Sequence, residues 1–212
     1  MWGGERRSVS ISTGKERLMS EENRKAIRIS VRNLVEFVLR SGDIDNRRSG
    51  NAQKDAMLAG GRIHRKIQKR MGSGYRAEVP LKHEVQDEEQ EITLLVEGRA
   101  DGIFTENGIP VIDEIKGMYT DVSRLEEPIE VHLAQAMCYG YFYCCDKDLD
   151  GIRLQMTYCN LETEEIKRFQ TDRSREELET WFSGVVHEYF KWATPTAVKC
   201  SRRSSLDEIF AS

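Results

Sequence analysis

The run Ile112-Asp113-Glu114-Ile115-Lys116-Gly117 sets a carboxylate and an ammonium two residues apart. Side chains of an extended strand alternate between faces, so Ile112, Glu114 and Lys116 share one. On a solvated strand such a pair is an ordinary surface ion pair. Here Val111 and Ile112 precede it and Ile115 divides it, which predicts an interior strand, where an ionised side chain needs a partner or a metal ion. A second acid sits in Gly98-Arg99-Ala100-Asp101-Gly102. Asp before Gly is commonly a turn residue. If the strands flanking Thr105-Glu106-Asn107-Gly108 pair as a hairpin, Asp101 approaches Glu114 across the ladder, where like charges repel. A hard divalent cation, Mg²⁺ or Mn²⁺, would reverse that repulsion by taking Asp101, Glu114 and the Ile115 carbonyl as oxygen ligands.

Two further groups could join this chemistry. On a helix, Gly60, His64, Ile67 and Met71 fall on one face, with Arg62, Arg65, Lys66 and Lys69 largely opposite. A lone His on an apolar stripe is commonly a satisfied core residue. Gly60, one turn earlier, favours function, because a missing side chain lets the helix approach a sheet or ligand. Gln135 and Tyr139 stand at i and i+4 on another helix and supply neutral donors that can position a phosphate. The plain reading of Tyr139 is an aromatic core stripe with Tyr141, Phe142 and Tyr143.

The elements that must hold these residues follow from periodicity. Ordered structure is expected from Ala26, leading into a helix in which Val31, Leu34, Val35, Val38 and Leu39 repeat at helical spacing. A polar loop over 42–51 precedes a second helix over 53–71. Three strands are predicted at 78–85, 91–104 and 109–116, forming a meander around an Asn-Gly turn. A helix over 129–145, strands over 152–160 and 164–171, and a helix over 174–193 complete the pattern. The fold class is α/β, a mixed central sheet flanked by helices. The ordered domain is 26–193, with polar tails over 1–25 and 194–212.

Composition bounds the function. With 39% hydrophobic and 32% charged residues and no apolar run near membrane-spanning length, the chain reads as a globular protein without a membrane partner. The first 25 residues lack the apolar core of a secretory signal, and the five cysteines all lie from 138 onward, so a reduced cytoplasmic setting is expected. The net charge of −4 hides an asymmetry. Residues 1–85 hold 19 Lys and Arg against 10 Asp and Glu, and residues 86–212 hold 13 against 26. A basic surface could meet phosphates, with Arg62, Arg65, Lys66 and Lys69, and Arg24, Lys25, Arg28 and Arg32, as candidates; a solvated charged face is the commoner meaning.

Taken in order, GxxxH at 60–64, GxxD at 98–101, ExK at 114–116 and QxxxY at 135–139 resemble the RecB-type branch of the PD-(D/E)XK nucleases. The resemblance spans about 26–193 and implies a restriction-endonuclease-like sheet. It implies metal ligation by His64, Asp101, Glu114 and the Ile115 carbonyl. Lys116 would orient or activate the attacking water, and Gln135 and Tyr139 would organise the site. The segment Ile27 to Arg47 is also similar to the nuclease region of bacterial helicases of the DinG group, which implies DNA and a helicase as partners. No GxxxxGK[ST] motif is present, so ATP hydrolysis is not expected of this chain. Iron–sulfur members of the branch carry one ligand Cys before the nuclease core and three after it. With no Cys before 138 and Cys144-Cys145 vicinal, no cluster is expected.

The expected function is metal-dependent hydrolysis of DNA, as an exonuclease in repair or recombination. Two rivals stand beside it: a non-catalytic DNA-binding or scaffold domain of the same fold, and a metal-dependent hydrolase acting on RNA.

Overall fold

The structure, a computed structural model, describes residues 25–39, 50–87 and 91–191, with side chains described from 26 and, in the second helix, from 58. The tails over 1–24 and 192–212, Arg24, Trp192 and most of the 42–51 loop lie outside the described residues.

The chain runs β1 (Lys25–Ser30), α1 (Val31–Leu39), α2 (Gly50–Arg70), β2 (Arg76–Asp87), β3 (Ile92–Glu106), β4 (Ile109–Met118), α3 (Glu130–Lys147), β5 (Gly151–Asn160), β6 (Ile166–Ser174) and α4 (175–191). A short 3₁₀ turn at Val122–Arg124 lies between β4 and α3. Six strands form one mixed sheet. The expected meander is present: β2 pairs antiparallel with β3, and β3 with β4. Asn107 and Gly108 both take positive φ, 52° and 82°, the backbone that a two-residue hairpin turn requires.

The register contains a fork. β2 covers one side of β3 from Ile92 to Ile103, so both other partners of β3 must use its second side. There β1 runs parallel along Ile92 to Glu97, and β4 runs antiparallel along Gly102 to Glu106. Between them, residues 98–101 have no strand on that side. Beyond Asp113, β4 leaves β3 and continues parallel to β5 as far as Met118.

Helices cover both faces. Val31, Leu34 and Val35 of α1, Cys138 and Phe142 of α3, and Leu178 and Phe182 of α4 pack with Leu94, Val96, Ile112 and Leu154 of the sheet. A layer of α2, through Ile63 and Ile67, lies on Ile115 and Cys159 of the other face. α3 approaches β5 closely because Gly140 lacks a side chain; a Cβ there would lie 2.8 Å from Leu154 Cδ2. Among the described residues no helix is long and apolar enough to cross a membrane. The fold is thus the expected mixed α/β sheet with helices on both sides.

Candidate active site

The fork collects the chemistry. β4 is interior, with β3 on one side and β5 on the other, and its alternation sends Ile112, Glu114 and Lys116 toward α3 while Val111, Asp113 and Ile115 face α2. Glu114 is 4% exposed. Its Oε1 accepts from Lys116 Nζ at 2.7 Å, and its Oε2 is buried without a hydrogen-bond partner. The Lys116 ammonium also donates to Gln135 Oε1 at 2.8 Å, so α3 fixes the far side of the pair.

Asp101 occupies the gap where β3 has no neighbouring strand. Its Oδ2 accepts from the Ile115 backbone N–H at 2.7 Å, replacing the ladder bond that a continued β3–β4 pairing would have made. A residue's N–H and C=O point to the same side of an extended strand, so the Ile115 carbonyl opens on the fork as well. From α2, His64 Nδ1 lies 3.3 Å from Asp101 Oδ1, and Gln68, one turn further on, donates to the Asp101 carbonyl at 2.9 Å. Residues from both faces of the sheet therefore meet where the sheet opens.

Two of the spaced motifs explain one another. A Cβ on Gly98 would lie 2.6 Å from the Tyr139 hydroxyl. The missing side chain admits that ring beside residues 98–101, the stretch of β3 without a neighbouring strand on that side. The glycine of GxxxH behaves differently. A Cβ on Gly60 would meet open space, whereas one on Gly117 would stand 3.6 Å from the Gly60 Cα and 2.6 Å from Leu161 Cδ2. The missing Gly60 side chain therefore does not set the approach of α2 to the sheet, and the Gly117 position stands in ordinary contact with α2.

The electrostatics follow from burial. Desolvation pushes the Glu114 carboxyl up to about 7, against the pull of the Lys116 ammonium and with the nearby Asp101 charge adding to the rise. Burial disfavours the His64 imidazolium, but the hydrogen bond and charge of Asp101 outweigh it and hold its pKa above the ordinary value. Burial, and the charges of Glu114 and Asp101, keep the proton on Tyr139. Among the described residues, no three His, Cys, Asp or Glu side chains are gathered as a ready-made metal cage. Asp101 is turned to Ile115 and His64, and Glu114 to Lys116. The orphaned Glu114 Oε2 and the carboxylate-rich donor set nevertheless fit a hard divalent cation, with His64, Asp101 and Glu114 the side chains able to turn toward it.

A polar cluster not foreseen in the sequence braces the reverse face. Asp113, fully buried, accepts from Thr157 Oγ1 at 2.6 Å, Gln155 Nε2 at 3.0 Å and Tyr75 Oη at 2.9 Å. Burial raises its pKa despite those bonds. The Tyr75 ring stacks on Phe104 and fills the place a Gly102 side chain would take; a Cβ there would fall 1.8 Å from it. The legible signals were an acid between two isoleucine-type positions of a buried strand, a glycine after Asp101, and Gln68 at i+4 from His64.

The basic candidates separate. Arg62, Arg65 and Lys69 are exposed on α2, whereas Lys66 pairs with Glu164 in the β5–β6 turn, with Arg70 at 3.9 Å from the same carboxylate. Arg28 pairs with Glu97 and Arg32 with Glu36. Cys138, Cys144 and Cys159 are buried among apolar residues.

No protein-family model matches the chain, and no curated protein matches it in sequence. Solved structures do match. The crystal structure of SSO0001 is 16% identical with a TM-score of 0.49, covering 82% of each chain. An alkaline exonuclease (LHK-Exo) from Laribacter hongkongensis is 10% identical with a TM-score of 0.54, covering 87% of this chain and 95% of that one. The protein thus shares its fold with an alkaline exonuclease.

Proposed function

We propose that the protein is a divalent-metal-dependent deoxyribonuclease whose active centre is Asp101, Glu114 and Lys116 at the sheet fork. The observation that carries this reading is Glu114. Its Oε2 is buried without a partner on an interior strand, within electrostatic reach of Asp101 and His64. A buried carboxylate oxygen left without a donor, beside a second carboxylate, favours an incoming cation over the bare protein.

Glu114, Asp101 and His64 would hold the cation, with the Ile115 carbonyl as a further oxygen. When bound, it supplies Lewis-acid charge to the non-bridging phosphate oxygens and a more acidic water. The chain's own residues do the remainder. In hydrolysis a water oxygen bonds to phosphorus, one ester P–O bond breaks, and the leaving oxygen takes up a proton. Lys116 uses two of its three ammonium protons on Glu114 and Gln135, and the third donates to the attacking water or to a phosphate oxygen gaining charge. Gln135 keeps that ammonium aimed, and Tyr139 packs on Gly98 at the strand edge that leads to Asp101.

Exonuclease action draws support from the fold shared with an alkaline exonuclease. The RecB-type branch draws on the order of the four motifs, and a helicase acting alongside draws on the resemblance of Ile27 to Arg47 to the nuclease region of DinG-group helicases. The test is cleavage of end-labelled single- and double-stranded DNA with Mg²⁺ or Mn²⁺, against EDTA and the substitutions Glu114→Ala and Lys116→Ala. Metal-dependent products that either substitution abolishes are expected. Cleavage in EDTA, or full activity in both variants, would overturn the reading.

A further inference from the structure

Along α2, Leu58, Arg62, Arg65 and Lys69 recur at i, i+4, i+7 and i+11, and all four are exposed. The stripe lies opposite Ile63 and Ile67, which bury α2 against the sheet. Lys66 and Arg70 stand to one side of it, held by Glu164. Among the described residues no carboxylate pairs with Arg62, Arg65 or Lys69.

At the start of this stripe is a cleft of about 570 Å³ lined by Leu58, Ala59, Arg62, Arg65 and Tyr119. Leu58 is 70% exposed and Tyr119 54%, so two large apolar side chains face water in one place. Tyr119 follows β4 directly, three residues past Lys116, and Gly117 of β4 lies beside Gly60 of α2. The cleft therefore adjoins the catalytic strand. Its aromatic wall is also anchored: the buried Asn160 donates from Nδ2 to the Thr120 carbonyl at 3.0 Å and to that of Tyr119 at 3.4 Å. An exposed ring on a pinned backbone, between an aliphatic side chain and two unpaired guanidinium groups, matches a planar apolar group carrying anionic neighbours. A nucleotide in a single strand has that chemistry.

We propose that this cleft is a nucleotide subsite for single-stranded DNA, in which a base lies on the Tyr119 ring against Leu58 and its flanking phosphates meet Arg62 and Arg65. It rests on the nuclease reading for the identity of the strand. Arg62 to Lys69 spans seven residues of helix, about 10 Å, which sets a path of a few nucleotides along α2. Because every base has a π face, the subsite grips without reading sequence.

The test uses the full chain and a single-stranded oligonucleotide carrying 2-aminopurine, first in EDTA for binding, then with Mg²⁺ for cleavage. Wild type should quench the fluorescence by stacking. Tyr119→Ala should lose the quenching, weaken binding by roughly 5- to 100-fold and raise KM with kcat nearly kept, while Tyr119→Trp restores all three. Arg62→Ala and Arg65→Ala should each reduce the slope of log affinity against log salt by about 0.7, and Lys66→Ala should not, since Glu164 already holds that ammonium. Binding by Tyr119→Ala within about twofold of wild type with quenching intact, or an unchanged salt slope in both arginine variants, would overturn the subsite. Wild type that stacks the probe but with Mg²⁺ cleaves neither it nor duplex DNA defeats the nuclease reading and leaves the subsite standing. Wild type that binds no single-stranded oligonucleotide but cleaves duplex DNA defeats the subsite alone.

Discussion

Glu114 is held at a cost in the metal-free protein. Its folded pKa, about 7, lies above the ordinary 4.5, so folding favours its neutral form. The stability tied to it is full below 4.5 and is lost as pH rises toward 7. His64 works in the same direction, since its raised pKa contributes stability below 6.5 that is lost as pH rises through its folded value. Denaturation in EDTA should therefore show stability falling between about pH 5 and pH 8. Glu114→Gln should flatten that slope and stabilise the protein at pH 8. A slope equally steep in the variant would remove Glu114 as its source. The acidic motif residues and Lys116 were legible because ionised side chains inside an apolar run demand an explanation. Asp113 was passed over because it sits in the same run yet faces the other way, and its partners come from two distant places, Tyr75 ahead of β2 and Gln155 and Thr157 of β5.

At the scale of elements, Gly98 and Tyr139 form one device made by β3 and α3. Gly98→Ala should cost about 1–3 kcal/mol by overpacking, because the new methyl group meets the Tyr139 hydroxyl at 2.6 Å. Combining it with Tyr139→Ala should recover part of that loss, so the two changes should be non-additive in a double-mutant cycle read by urea denaturation. Additive losses would show that the contact does not set the spacing. The sequence placed the strands and helices within a few residues, because alternation and helical spacing are local properties. It did not reveal β1 as a strand, nor that β1 and β4 share one side of β3. Both depend on pairing across more than sixty residues, for which six residues such as Lys25–Ser30 carry no local mark.

At the scale of the whole molecule, three of the five strand pairings join neighbours in sequence, and two, β1 with β3 and β4 with β5 across α3, close long loops. Those two pairings carry the entropic cost of loop closure before contact rewards it. The motif residues also arrive in stages: His64, Asp101 and Glu114 are all synthesised before Gln135 holds Lys116, and before β5 covers the open edge of β4. Nascent chains ending near Lys147 should cleave no DNA in a cell-free translation assay, whereas the completed chain should. Cleavage by the shorter chain would mean that β5 is dispensable to the centre.

The fork in the sheet has a further consequence for the cell. On the proposed reading, a centre suspended where β4 parts from β3 exists only while both strands are seated, so an event that detaches β4 from β3 would disarm it. Fragments released by proteolysis or stalled translation would then carry no cleaving centre, a safeguard that comes from topology and needs no inhibitor.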